Sequence, residues 1–225
     1  MALRLVSGPA VEPVSLEQAK IHLKVDIDDE DSLIVNIISA ARVHAENICR
    51  RAFVTQQWDL YLDAFPLYSY FGVVPGYVPA DQLPSAWMSM RNYSVRFRGG
   101  KIELPFPRLQ SVEAVKYCDM DGIWRTLDPV RYVVDTISEP GVLVPAPNTY
   151  WPDTQNTVNA VQISFTAGYG ADAKDVPAGV KSWMLMRIGA LYANREEIVV
   201  GQRLTSVDLP FVDGLLDPYR LGGYV

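Results

Sequence analysis

The chain has 225 residues, 49% of them apolar, with a net charge of −6 and a pI near 4.9. That length and apolar content exclude a disordered chain and allow one large domain, or a domain with an elaborate insertion. The acidic balance argues against a broad surface that grips nucleic acid, though an acidic wall can still surround it. No run approaches the ~20 apolar residues of a membrane span, and the first fifteen residues hold no apolar core of signal-peptide length.

Residues 1–14 read as an extended arm. Leu3, Leu5 and Val6 are apolar, while Gly8, Pro9 and Pro13 stop regular structure. Ser15 then opens a short helix to about Lys24, with Gln18 at the capping-box position. The run from Asp26 to Asp31 carries five acids. It lacks the glycine an EF-hand loop needs, so the acids read as residues favoured at the positive start of the next helix. That helix spans Glu30–Arg50. Leu33, Ile34, Ile37, Ile38, Ala41, Ala45 and Ile48 form one apolar face. Glu30, Asn36, Arg42, Glu46, Asn47 and Arg50 fall on the polar side.

The period then changes. Val54–Phe65 alternates, with Trp58, Leu60 and Leu62 opposite Asp59, Tyr61 and Asp63, which predicts a strand. Pro66–Met90 is a long, turn-rich, aromatic loop, and its rings argue for packing onto another surface. Strands are expected at 95–97 and 101–104 around Gly99-Gly100. A hairpin is expected from 112–118 to 123–127 around Asp119-Met120-Asp121-Gly122, and another from 132–136 to 142–144 around Glu139-Pro140-Gly141. Residues 148–159 are irregular, 161–166 alternate as a strand, and Ala167–Gly170 close it. Asp175 caps and Pro177 opens a second long helix to Arg195, with Val180, Met184, Ile188, Leu191 and Tyr192 as its stripe. This helix is expected to pack on Glu30–Arg50. Residues 201–210 read as a linker, 211–219 as a short helix with Leu215 and Leu216 inward, and the C-terminus as a flexible tail. The expected fold class is α+β. It is a small helical bundle on two long helices (15–50 and 175–220) carrying a large antiparallel β-rich insertion (54–170), all in one domain.

Residues that could carry chemistry are few. His22 and His44 lack Cys or His partners at metal-ligand spacing, so no metal is expected and His44 reads as a packing residue. Cys49 and Cys118 form no CxxC and read as two free, buried thiols of a reducing compartment. No nucleophile elbow, phosphate loop, zinc-protease or dinucleotide motif occurs. Asp59, Asp63, Asp119 and Asp121 could in principle supply a glycosidase pair, but strand flanks and turns explain them equally well. No catalytic residue and no cofactor are expected, and the chain does not read as an enzyme.

EPVSLEQAKIHLKVD (12–26), AARVHAENICRRAFVTQQWDLYLDAFP (40–66), IELPFPRLQSVEAVKYCDMDG (102–122), LDPVRYVVD (127–135), FTAGYG (165–170) and DVPAGVKSWMLMRIGALYANRE (175–196) follow one another in order. This ordered set resembles the head–tail connector (adaptor) proteins of tailed bacteriophages, prophages and gene transfer agents. The resemblance implies a structural virion protein. It implies a homo-oligomeric ring of twelve in the neck of the particle, between portal and tail, assembled in the host cytoplasm. Portal protein and the next neck or tail-completion protein are its implied partners. DNA crosses the channel without sequence-specific binding, and no membrane is involved. Loops and termini that cross to neighbours would include Leu3, Leu5, Val6, Tyr68, Tyr70, Phe71, Tyr77, Trp87, Tyr150, Trp151, Phe211, Tyr219 and Tyr224. An accessory carbohydrate- or protein-binding module is the alternative, motivated by the aromatic loop. Another tail or neck subunit is a further one, against which the two long helices weigh.

Overall fold

The computed structural model describes residues 1–66, 100–194 and 210–221. The chain is α+β and divides into two compact units: a mainly helical one (6–57, 105–108, 167–225) and a β unit (1–5, 58–104, 109–166).

In the helical unit, α1 (Leu16–Leu23) begins as its sequence predicts. Ser15 Oγ accepts from the Gln18 amide at 3.1 Å, and the Gln18 side chain accepts from the Ser15 amide at 3.2 Å. Helix α2 (Asp31–Cys49) follows. The acids before it do not cap it: Glu30 stands at the N-cap without a side-chain bond to the helix start. Asp28 and Asp31 instead accept from Lys20 Nζ at 2.6 and 2.8 Å, tying α1 to the beginning of α2. Asp31 lies in the first turn of α2, as expected, and the ammonium group that α1 brings to it is a partner that local sequence does not reveal. Helix α3 (Ala178–Ala193) starts at Pro177, not at Asp175. The Asp175 carboxylate accepts from the Asp172 amide at 3.1 Å and closes a preceding 3-10 turn. The short α4 (Pro210–Gly214) and a 3-10 turn (Asp217–Tyr219) complete the unit.

Its core joins α2 and α3 as expected. Ile34, Ile38, Ala41 and Ala45 meet Val180, Trp183, Met184 and Ile188, with Val14, Ala19, Phe53 and Leu216 around them. Leu216 is wholly buried while Leu215 only borders the core, so one of the two expected inward leucines does most of the packing. Arg51 Nε donates to the Tyr219 carbonyl, and the Leu221 amide donates to the Cys49 carbonyl at 3.0 Å, so the final turn is held against the end of α2. At Gly168 φ is +139°, and a Cβ there would stand 2.7 Å from the backbone of Val54 and Thr55. Only glycine lets those two segments approach so closely.

In the β unit, a five-stranded sheet runs in the order β1-β2-β8-β4-β5, and a three-stranded sheet in the order β3-β7-β6. The strands are β1 (Ala2–Ser7), β2 (Gln56–Leu62), β3 (Ile102–Leu104), β4 (Leu109–Cys118), β5 (Trp124–Thr126), β6 (Tyr132–Asp135), β7 (Gly141–Pro145) and β8 (Val161–Ala167). The predicted β2 and β8 are neighbours, and both predicted hairpins are antiparallel. Cys118 stands opposite Trp124, and Asp135 opposite Val142. The arm is extended as expected, but Ala2–Ser7 is a strand of this sheet and not a free segment. Its backbone amides and carbonyls find partners along β2. The expected strand at 95–97, the loop at 67–90 and the linker at 201–209 lie outside the described residues.

Leu60, Ile163, Phe165 and Val115 are buried from the sheet, and Ile102, Leu104, Leu109 and Leu143 are buried with β3 and β7. Polar groups on β2, β8 and β4 pair with one another. Asp59 is buried and accepts from Ser164 Oγ at 2.6 Å and Gln162 Nε2 at 2.9 Å. Glu113 accepts from Ser111 Oγ at 2.6 Å and from the Thr166 hydroxyl.

Candidate functional site

Three of the four carboxylates weighed for hydrolysis have structural work, and the fourth, Asp121, is exposed. Asp59 is spent in the strand network just described. Asp63 accepts from the Asn159 amide at 2.9 Å. Asp119 shapes the β4–β5 turn by accepting from the amides of Asp121 and Ile123 at 3.0 and 2.9 Å and from Arg125. The Arg125 guanidinium, with those amides, holds the Asp119 carboxyl below its usual range. Among the described residues no three His, Cys, Asp or Glu side chains gather as a metal would require.

Both cysteines are free and buried, and burial pushes the Cys49 thiol up to about 11. The His44 ring lies 5.5 Å from the Trp183 indole, edge to face, and burial with the nearby Arg187 charge lowers its pKa. It packs, as its place on α2 suggested.

A charged cluster inside the helical unit was not legible in the sequence. Arg42 and Glu46, assigned to the solvent side of α2, are both buried. Arg42 donates to Glu12 and to Glu46, each at 2.8 Å. The other Glu46 oxygen accepts from the Phe53 amide at 3.0 Å and from Gln56 Nε2 at 2.6 Å. Burial raises the Glu46 pKa, opposed by these donors and by the Arg42 charge. The partners come from three separate stretches of chain, so the helical period alone could not place them inside. The cluster ties the segment before α1 and the start of β2 to α2, and its role is to hold position.

What remains is surface. Leu5 and Val6 on β1 are exposed, and Leu3 is half-buried. Tyr150 is exposed. Trp151 is half-buried: it stacks on Phe65 with ring centres 4.8 Å apart, and its Nε1 donates to the Gly100 carbonyl at 2.6 Å. Tyr219 is half-buried against the helical core. Tyr68, Tyr70, Phe71, Tyr77, Trp87 and Tyr224 lie outside the described residues, as does the Phe211 side chain. The sequence reading missed Met120, Ile123 and Trp124, all exposed around the β4–β5 turn. The signal was present, because large apolar residues flank a polar Asp-Gly turn where solvent would favour polar ones. Met120 and Tyr150 line one hollow of about 520 Å³ with Phe65, Trp151 and Pro152.

Residues 13–86 match the model of the phage gp6-like head-tail connector proteins. That stretch is a third of the chain and takes in α1, α2 and β2. The likeness to head–tail connector proteins read from the sequence therefore holds. Among solved structures, a chain in the virion of a native gene transfer agent particle is similar over 100% of this chain and 98% of its own, with TM-score 0.70 and 18% identity. A chain in the neck of the empty particle, computed with C6 symmetry, has the same coverage, TM-score 0.71 and 18% identity. One in the neck of the native particle, computed with C12 symmetry, has TM-score 0.68 and 17% identity. The whole fold is thus shared with these chains. No curated protein matches the sequence.

Proposed function

We propose that this protein is a structural subunit of a particle neck, a head–tail connector set between portal and tail. The observation that carries the reading is the end-to-end match to gene transfer agent neck chains, together with the connector pattern over residues 13–86. The symmetry of those necks favours a closed ring, and twelve copies fit the C12 case. The chain acts through binding surfaces rather than catalysis. It works as one connector domain, with its helical core at 15–50 and 175–220 and a β-rich insertion at 54–170. Its net charge of −6 suits a conduit that DNA crosses without sticking, since a polyanion is not held by an acidic wall. The exposed faces of Leu5, Val6 and Tyr150, with the partly covered Leu3, Trp151 and Tyr219, meet neighbouring subunits, the portal or the next neck protein. A cryo-electron map of the particle that contains this chain tests the reading. Twelve copies between portal and tail are expected. Absence from the particle, or density at the tail tip, overturns it.

A further inference from the structure

Among the described residues, β1 and β5 are the two edges of the five-stranded sheet, separated by four strand spacings, about 19 Å. Their exposed side chains differ in kind. On β1, Leu5 and Val6 are 47% and 52% exposed, and Arg4 beside them is also exposed. At the β4–β5 edge, Met120 is 66% and Trp124 52% exposed, Ile123 stands between them, and Tyr150 at 64% shares the Met120 hollow. Asp121 and Asp153, the chain neighbours of Met120 and Pro152, are exposed carboxylates at this apolar rim.

We propose that β1 of one copy docks on the β4–β5 tip of the next, with Leu5 and Val6 against Met120, Ile123 and Trp124, and Arg4 facing Asp121 and Asp153. This deepens the ring reading and rests on it. A closed ring repeats a heterologous contact, so each subunit must carry two different, complementary patches that face apart. Opposite edges of one sheet meet that condition. An edge strand with exposed apolar residues invites pairing unless it is covered. An exposed Trp–Met–Tyr group is the composition of a contact centre, not of a solvated turn. Arg4 on one edge, and Asp121 and Asp153 on the other, where Arg125 is already held by Asp119, set the order of the pair.

The test uses the full-length chain with Leu5 replaced by photoreactive benzoylphenylalanine. Heavy-isotope-labelled and unlabelled copies are mixed, concentrated and irradiated, and the links between copies are mapped by mass spectrometry. The same probe at Val43, exposed on α2, serves as a second surface. Links from position 5 to 119–125 or 150–153 of the other copy are expected. Arg4→Glu or Asp121→Arg alone should lower their yield about two- to fivefold, as for a partly exposed ion pair. The two changes together should restore it. Unchanged thermal unfolding of each variant shows that the fold is intact. Links from position 5 to another segment, or links between copies from Val43 only, overturn this contact and leave the ring standing. No link between copies from either probe overturns both.

Discussion

The Arg42–Glu46 cluster of the helical unit and the Met120–Trp124 tip of the β unit depart from the polar-outside, apolar-inside rule in opposite directions. The helical unit buries charge: Arg42 and Glu46 lie inside, with Glu12, Gln56 and the Phe53 amide satisfying them. The β unit exposes apolar area: Met120, Ile123, Trp124 and Tyr150 face solvent. The first departure is closed within the chain, because Arg42 and Glu46 both have their partners. The second is left open among the described residues, where Met120, Ile123, Trp124 and Tyr150 remain more than half exposed. Changes to the buried cluster should therefore damage folding, whereas changes to the exposed group should leave folding intact and damage assembly.

The largest effect is expected from Glu46→Ala. It leaves the Arg42 guanidinium without one of its two carboxylates and strips the Phe53 amide and Gln56 side chain of their acceptor. Removing one partner of a buried pair costs about 3–5 kcal/mol, measurable by urea denaturation. A loss below about 1 kcal/mol would mean that water reaches the cluster. Ile38→Ala, at the wholly apolar part of the same helix, should cost about 2–5 kcal/mol. The half-buried Ile37→Ala should cost less. Gly168→Ala is strained whatever else moves, since its φ is positive and the Val54–Thr55 backbone already occupies the space. A loss of at least about 1 kcal/mol is expected.

Titration separates the units more gently. The Glu46 pKa is raised by burial, so the native state holds this proton more tightly than the unfolded chain does. Its contribution is greatest below the unfolded value near 4.5 and is lost as pH rises through the raised folded value. Asp119 runs the other way: its pKa is lowered by Arg125 and two amides, so its contribution is present above about 3.8 and lost as pH falls through the lowered folded value. Stability against pH for Glu46→Gln and Asp119→Asn, each compared with the parent, should give differences of opposite slope in those two windows. The smallest effect on folding is expected from Trp124→Ala. Its side chain is half exposed, so unfolding should shift by no more than about 0.5 kcal/mol, while incorporation into particles falls. A large loss of stability would show that the tip serves the fold and not a partner.

Local chemistry determined much of this protein without the tertiary structure. The Ser15–Gln18 capping box, the apolar rows of α2 and α3, and the Asp-Gly turn between β4 and β5 each depend on residues within a few positions of one another. All form where the sequence alone places them. Of the residues the sequence offers as contacts with neighbours, Leu5, Val6 and Tyr150 are exposed and Trp151 stacks on Phe65, while the exposed Met120–Trp124 tip was passed over. Only the tertiary structure decided the partners of charge. Lys20 on α1 ties Asp28 and Asp31 together at the start of α2, and the donors around Glu46 turn a polar-face residue into a buried one. Ser164 and Gln162 make a buried site for Asp59. Each of these depends on groups from different elements of the fold, and the cost of burying a carboxylate is met only when folding has brought its donors within hydrogen-bond reach.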